Sequence, residues 1–151
     1  MKEYLVSSPE ETEALGRAIG ERLLASGRRR LFIAYLGEMG VGKTALTRGF
    51  ASVTAPGAAV RSPTYTVVNE YRGGDIPLFH FDMYRIEDPD DLTSIGYDDY
   101  LARDGFILCE WSENVREEIP ADALFITIAR TDGETGRKIT LEGDGYEDLM
   151  S

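Results

Sequence analysis

Cysteine and histidine are almost missing from this sequence, and each scarcity excludes a class of site. The 151 residues include one cysteine, Cys109, and one histidine, His80. A lone cysteine cannot form a disulfide within the chain, and multi-cysteine or multi-histidine metal sites are excluded. Long apolar runs are missing too, because no stretch approaches the roughly 20 residues that a membrane span needs. The N-terminus lacks the apolar core of a signal peptide, so we expect a reduced, cytoplasmic protein without membrane segments.

Basic residues are few relative to acidic ones. Lys and Arg total 16 against 27 Asp and Glu, and the formal net charge is −11. A broad, sequence-independent grip on nucleic acid needs many cations that neutralise phosphates, so the composition argues against that mode of binding. The run Arg28–Arg30 is a local exception, for which a solvated turn is favoured over a partner-facing or RNA-facing patch.

Hydrophobic residues make up 42% of the chain, which is enough for a core, and the length predicts one domain over residues 1–151. Three apolar runs fit strands buried on both faces of a sheet: Leu31–Leu36, Leu78–Asp82 and Phe106–Glu110. Helical patterns lie between these runs and before them. Strands mixed with helices predict an α/β sheet covered on both faces.

Local signals place the other elements. Ser8 as N-cap, Pro9 at the first helical position and Glu11 three residues after Ser8 predict a helix that Gly27 ends. Further patterns predict a strand–turn–strand hairpin, two short helices and two late strands. These are Thr64–Tyr71 with Leu78–Asp82, then Leu92–Ile95 and Tyr97–Ala102, and finally Leu124–Ile128 and Lys138–Leu141.

The strongest chemical signal is an eight-residue segment that matches the phosphate-binding pattern G-x-x-x-x-G-K-[ST]. Its glycines let backbone N–H groups surround an anion, and a helix that starts near Lys43 adds its partial positive N-terminus. Lys43 reaches the β- and γ-phosphates in such a loop, and the Thr44 hydroxyl reaches Mg²⁺. The predicted nucleotide cradle consists of Gly37, Glu38, Met39, Gly40, Val41, Gly42, Lys43, Thr44 and Ala45.

Such a loop needs a carboxylate near the metal, usually where a neighbouring apolar strand ends. Asp82 and Glu110 both qualify. One is expected to hold Mg²⁺ and the other to orient the attacking water, but the residues alone do not divide these roles.

Four other residues are weaker candidates. Thr64 lies in a loop that could reach Mg²⁺ or the γ-phosphate, although spacing alone favours simple turn chemistry. Trp111 follows the predicted catalytic edge, where a nucleotide or partner contact is about as well supported as a core position. His80 shares a strand face with Asp82, and a hydrogen-bonded structural role is favoured over a catalytic one. Cys109 fits a buried small hydrophobe.

Together these pieces resemble the TsaE family, the small P-loop ATPases of bacterial tRNA threonylcarbamoyladenosine biosynthesis. The resemblance runs over nearly the whole chain. Beyond the glycine-rich loop, it is carried by Ser62–Tyr71 (SPTYTVVNEY), His80–Arg85 (HFDMYR) and the pair Glu110 and Trp111. Met39, where an aliphatic residue such as Leu is expected, and the basic run Arg28–Arg30 are small departures.

The resemblance implies a P-loop three-layer sandwich with a mixed, mostly parallel sheet. It implies ATP binding, hydrolysis to ADP and phosphate with Mg²⁺, and partners of the TsaB–TsaD type, with tRNA reached only through those partners. Carried over by motif, Lys43, Thr64, Asp82 and Glu110 are catalytic, with Asp82 the hydrolytic acid. Thr44 and Glu110 lie at the metal, and Trp111 lies close to the nucleotide. Glu11 and Thr12 are candidate adenine contacts.

Three rival functions share the phosphate loop. A GTPase is disfavoured because the sequence has no N-K-x-D segment for guanine. A small P-loop kinase needs an acceptor pocket and an Arg-bearing insertion, for which little length remains. A nucleotide-gated adaptor, which binds ATP with negligible turnover, has the same sequence signature as a partner-dependent ATPase.

Overall fold

The structure is a computed structural model, and it describes residues 1–37, 42–61, 63, 67–131, 133–143 and 146. Seven strands in these residues form one sheet: β1 (Lys2–Val6), β2 (Arg30–Gly37), β3 (Val68–Tyr71), β4 (Leu78–Asp82), β5 (Gly105–Glu110), β6 (Leu124–Arg130) and β7 (Arg137–Glu142). The helices are α1 (Pro9–Ala25), α2 (Lys43–Thr54), α3 (Pro89–Ser94), α4 (Tyr97–Ala102) and a 3-10 helix (Ser112–Glu118).

The strands lie in the order β1-β7-β6-β2-β5-β4-β3. The four central strands run parallel, through the pairs β6–β2, β2–β5 and β5–β4. Both edges are antiparallel, with β1 and β7 on one side and β3 on the other. The predicted mixed sheet with a parallel centre is therefore confirmed, as is the hairpin of β3 and β4.

Helices cover both faces of the sheet, which gives the predicted three layers. On one face α1 and α2 pack over Ile33, Tyr35 and Leu108. On the other face α3, α4 and the 3-10 helix pack over Phe81 and Ile107. Alternate residues of each central strand face the two layers, which is why these strands are apolar almost without interruption.

Helix α1 begins as the sequence predicts, with one difference at its cap. Ser8 is the N-cap, and its hydroxyl accepts from the Glu11 N–H at 3.1 Å. The Glu11 carboxylate accepts the N–H of Ser7 at 2.6 Å, so it satisfies the residue before the cap and not Ser8 itself. Gly27 follows the helix end with φ +79°, a conformation that glycine adopts without strain.

One predicted strand begins later than expected, and one observed strand was not predicted. The strand predicted over Thr64–Tyr71 begins at Val68, because Val67 has φ +68° and cannot continue an extended ladder; Thr64 to Thr66 lie outside the described residues. Strand β1 was not predicted, because its five residues are mostly exposed and carry no buried run.

In the described part of the chain, no helix has the length and apolarity to cross a membrane.

Candidate functional site

Three parallel strands end side by side at one edge of the sheet. Strand β2 ends at Gly37, where the glycine-rich loop begins, and β5 and β4 are the next two strands. Asp82 and Glu110 are direct register partners, because β4 and β5 pair in parallel. The structure thus brings the two predicted carboxylates together at the edge where ligands bind in parallel α/β sheets.

The two ends of the glycine-rich loop have the backbone geometry that glycine permits. Gly37 has φ +117°, and a Cβ there would lie 2.5 Å from the carbonyl oxygen of Ile128. Gly42 has φ +113° and is the N-cap of α2, with no side-chain cap. The N-terminal N–H groups of a helix without a side-chain cap can bind an anion. Glu38, Met39, Gly40 and Val41 lie outside the described residues.

Lys43 is the first residue of α2 and is buried, with 9% of its surface exposed. Its Nζ lies 6.0 Å from the ring centroid of Trp111, at the limit of a cation–π contact. The Trp111 ring in turn lies 4.9 Å from the ring of Tyr84, an exposed side chain. The structure therefore places Trp111 beside the predicted phosphate-binding lysine.

A buried hydrogen bond fixes α2 on the sheet. Thr47, one turn after Lys43, lies 3.0 Å from the Tyr35 hydroxyl of β2. Burial raises the pKa of Tyr35, and the nearby Glu110 charge raises it further. Tyr35 therefore stays a neutral hydroxyl that can hold the start of α2 in place.

Asp82 is buried, with 6% of its surface exposed. Its Oδ1 accepts the N–H of Tyr84 at 2.9 Å, and its own N–H donates to the Val67 carbonyl at 2.8 Å. The next residue, Met83, donates its N–H to the Glu110 carbonyl at 3.0 Å. These bonds hold the carboxylate in one orientation at the strand end.

Glu110 is partly exposed and has a buried partner. Its Oε2 lies 2.5 Å from Nε2 of His80, and the two side chains are 19% and 3% exposed. His80 thus contacts a candidate site residue directly, which the strand pattern alone did not predict. The neighbouring Cys109 is fully buried, and burial raises the pKa of its thiol to about 12, as suits a small hydrophobe.

A cavity of about 70 Å³ opens beside the start of α2. Thr12 and Ala45, both predicted nucleotide contacts, line it. Glu11 does not line it, and its carboxylate accepts the N–H of Ser7. The cavity also includes residues that sequence reasoning missed, for which the only signal was the polar turn before β7. Its lining consists of Ser8, Pro9, Thr12, Gly42, Ala45, Thr135 and Arg137.

A larger cavity of about 360 Å³ lies between the segment that follows β4 and the 3-10 helix. Its lining includes Glu87, Asp88, Glu113, Glu117 and Glu118, with Arg116 as the basic member. Carboxylates at that density repel a polyphosphate. Of these two cavities, the smaller one beside the start of α2 is therefore the more compatible with a phosphate group, despite its size.

The described part of the site offers too few protein ligands to hold a metal ion by itself, but it suits Mg²⁺ that is shared with a bound nucleotide. In the described ranges, no group of three His, Cys, Asp or Glu side chains could hold a metal ion. Mg²⁺ in nucleotide sites takes one or two protein oxygens and completes its shell with phosphates and waters. The exposed Thr44 hydroxyl and the Glu110 carboxylate could supply those oxygens. Thr64 lies outside the described residues.

The basic run Arg28–Arg30 is engaged within the chain. Arg29 and Arg30 both pair with Asp104, at 2.8 and 3.3 Å. The Arg28 guanidinium lies over the Tyr146 ring at 4.4 Å. These contacts support the interpretation of a solvated turn.

Comparisons with known proteins show which family the chain belongs to. Residues 6–139 match the model of the family described as "Threonylcarbamoyl adenosine biosynthesis protein TsaE". The tRNA threonylcarbamoyladenosine biosynthesis protein TsaE of Bacillus subtilis is 36% identical over 144 residues, covering 94% of this chain and 87% of that protein. Its counterpart from Haemophilus influenzae is 37% identical over 123 residues, covering 80% and 78%.

One solved structure shares the whole architecture. The crystal structure of Bacillus subtilis YdiB superposes with a TM-score of 0.80 at 31% identity, covering 98% of this chain and 90% of that chain.

Proposed function

The chain belongs to the TsaE family, and from that premise we propose that it is a Mg²⁺-dependent ATPase of tRNA threonylcarbamoyladenosine biosynthesis. In this proposal its hydrolysis of ATP to ADP and phosphate supports turnover of a TsaB–TsaD-type complex. One observation carries the proposal: a buried lysine at the start of a helix lies at the same sheet edge as two carboxylates in direct register.

The binding of the phosphates follows from the elements around the loop. The glycine conformations at Gly37 and Gly42 let the chain turn tightly, so that backbone N–H groups face an anion. Lys43 adds a full positive charge in a partly desolvated position, where it attracts phosphate more strongly than in water. The Trp111 ring lies beside that charge.

Thr44 and Glu110 are the residues that would hold Mg²⁺. When bound, the cation neutralises charge that develops on the β- and γ-phosphate oxygens. The Glu110 carboxylate would hold the cation from a fixed position, because one of its two oxygens is hydrogen-bonded to His80. We place Thr64 with these catalytic residues on the strength of the family resemblance.

Asp82 is the proposed hydrolytic acid. Its two hydrogen bonds fix the end of β4, and its burial excludes all but a few waters from the carboxylate. A carboxylate oxygen held in this way can orient an attacking water and accept its proton. This assignment follows the division of roles between Asp82 and Glu110 that the family resemblance implies.

The base of the nucleotide is assigned to the cavity beside α2. Thr12 offers a buried side chain there, and Ala45 offers an apolar contact. Arg137 adds a cation at the rim, although its guanidinium donates to the Glu134 and Gly136 carbonyls. Glu11 contributes indirectly, by fixing the N-terminus of α1.

The net charge of −11 supports a protein that leaves tRNA to its partners and does not bind DNA. A basic partner surface would be attracted to this chain, whereas a phosphate backbone would be repelled.

Phosphate release in the steady state tests the proposal directly. The protein should hydrolyse ATP slowly alone and faster with TsaB and TsaD, and Lys43→Ala should abolish the stimulated rate. Lys2→Ala, a surface lysine on the edge strand β1, is the control and should leave the rate unchanged. ATP binding without stimulated turnover would favour the nucleotide-gated adaptor, and a Lys43→Ala rate equal to wild type would refute the proposed site.

A further inference from the structure

His80 is a polar residue in β4, a strand whose neighbouring residues are hydrophobic and buried in the core. Its neighbours Leu78, Phe79 and Phe81 are fully buried, and His80 itself is 2% exposed. A buried polar group costs free energy unless hydrogen bonds compensate it. His80 has one such bond, to Glu110, while its Nδ1 has no hydrogen-bond partner among the described residues.

The chemistry of the pair fixes the direction of this bond. A glutamate carboxylate can only accept, so Nε2 of His80 carries the hydrogen and donates it to Oε2. The donor–acceptor distance of 2.5 Å places the two side chains in direct hydrogen-bond contact, with no room for a water between them. Nε2 of His80 is therefore hydrogen-bonded to Oε2 of Glu110.

The strand register explains why His80 can reach that oxygen. His80 pairs with Leu108 across β4 and β5, and Glu110 lies two residues further along the same face of β5. The contact engages Oε2 of the partly exposed Glu110 side chain, so Oε1 is the oxygen that a ligand would use.

We infer that His80 is a positioning residue that orients Glu110 toward the cation and so sets the Mg²⁺ affinity of the nucleotide site. This inference rests on the proposed function, because it takes Glu110 as a Mg²⁺ ligand. Partners that orient metal ligands in this way typically contribute about 10- to 100-fold to metal affinity. A purely structural histidine would stabilise the fold without changing the Mg²⁺ requirement.

The sole tryptophan provides a binding signal that does not depend on turnover. Trp111 follows Glu110 and lies near Lys43, so its fluorescence should report bound ADP across a Mg²⁺ titration. We expect His80→Leu to raise the Mg²⁺ midpoint about 10- to 100-fold and to leave ADP affinity in EDTA unchanged. His80→Gln, whose amide can place an N–H near the Nε2 position, should restore the midpoint to within a few-fold of wild type.

Two controls separate positioning from general stability. Phe79→Leu, on the opposite face of the same strand, should lower stability without moving the Mg²⁺ midpoint. His80→Asn is too short to reach Glu110 and should behave like His80→Leu, which keeps the test available if the leucine variant does not fold.

The decisive comparison is between the effect of His80→Leu in the wild-type protein and its effect in a Glu110→Gln background. In a Glu110→Gln background, His80→Leu should add little further change to the Mg²⁺ midpoint, because both substitutions affect the same ligand. An equal shift in both backgrounds, or none in the wild-type background, would overturn the inference. A wild-type protein that binds ADP identically with and without Mg²⁺ would overturn the proposed function as well.

Discussion

Two residues with unusual backbone conformations lie next to the carboxylates of the site. Trp111 has φ 59° and ψ 40°, and Val67 has φ 68°. For a bulky or β-branched residue, this left-handed conformation costs about 1–3 kcal/mol. Trp111 directly follows Glu110, and the Val67 carbonyl accepts the N–H of Asp82. The surrounding contacts thus maintain strain where the two carboxylates are positioned, as is common at functional sites.

Asp82 allows a test that separates binding from hydrolysis. Asp82→Asn keeps an oxygen that can accept the Tyr84 N–H but removes the carboxylate that would accept a proton. We expect nearly unchanged ATP affinity by calorimetry, and phosphate release lowered about 100-fold or more. Loss of ATP binding in this variant would instead make Asp82 a ligand contact or a structural residue.

At the scale of elements, the register of β4 and β5 builds the site. Both strands are apolar until their last residue, which is acidic, and parallel pairing then makes Asp82 and Glu110 neighbours. Helices α1 and α2 approach closely at glycines: a Cβ on Gly16 would collide with the Leu46 carbonyl, and one on Gly49 with the Glu13 carbonyl. This contact seats α2, and with it Lys43, over the end of β2.

The close approach of α1 and α2 predicts whether a Gly→Ala substitution raises or lowers the free energy of unfolding. On an exposed helix face, Gly→Ala stabilises by about 1 kcal/mol. Gly49→Ala should instead lower the free energy of unfolding by about 1–3 kcal/mol, because the methyl group meets backbone that cannot move away easily. Urea unfolding measures this effect. Arg48→Ala, at the adjacent exposed position, should stay within about 0.5 kcal/mol of wild type; a stabilised Gly49→Ala would contradict the packing.

Helix α4 is joined to the edge strand β3 by a hydrogen bond that depends on pH. The Tyr100 hydroxyl donates to Glu70 at 2.7 Å, and this bond, with help from Arg72, lowers the pKa of Glu70. A lowered carboxyl pKa adds stability above the ordinary pKa, and this stability is lost as pH falls through the folded-state value. Glu70 should therefore support the fold at neutral pH and not in acid.

Tyr100→Phe tests this bond and leaves the aromatic packing against Phe79 and Phe81 in place. The variant should be about 1 kcal/mol less stable than wild type at pH 7. The difference should shrink as the pH falls through the lowered pKa of Glu70, because the protonated carboxyl no longer accepts a charge-assisted hydrogen bond. Chemical unfolding at several pH values measures it, and a difference independent of pH would assign the loss to packing.

Much of this element layout could be predicted from the sequence, for identifiable reasons. The apolar runs of β2, β4 and β5 and the cap at Ser8 are strong local signals. Strand β1 is short and mostly exposed, so its pairing with β7 depends on distant residues. The contribution of Arg137 to the cavity, like the bond between His80 and Glu110, comes from folding, because residues far apart in sequence meet.

At the scale of the whole molecule, the negative charge is unevenly distributed. Residues 83–118 contain 11 acidic and three basic residues, 11 − 3 = 8, which is most of the net charge of −11. This segment forms the helical layer opposite α1 and α2, together with strand β5. ATP must therefore bind within an unfavourable overall field, and Lys43, the helix N-terminus and Mg²⁺ have to supply positive potential locally.

Calorimetric titration of ATP, in Mg²⁺ and in EDTA, tests this account most directly. Wild type should bind ATP in Mg²⁺ and lose about 10-fold or more in affinity in EDTA, since the cation offsets the repulsion between the nucleotide and an acidic protein. Lys43→Ala should bind weakly in both conditions, while Lys2→Ala should follow wild type. Equal ATP affinity with and without Mg²⁺, or unchanged binding by Lys43→Ala, would contradict the assignment of this sheet edge as a Mg²⁺–ATP site.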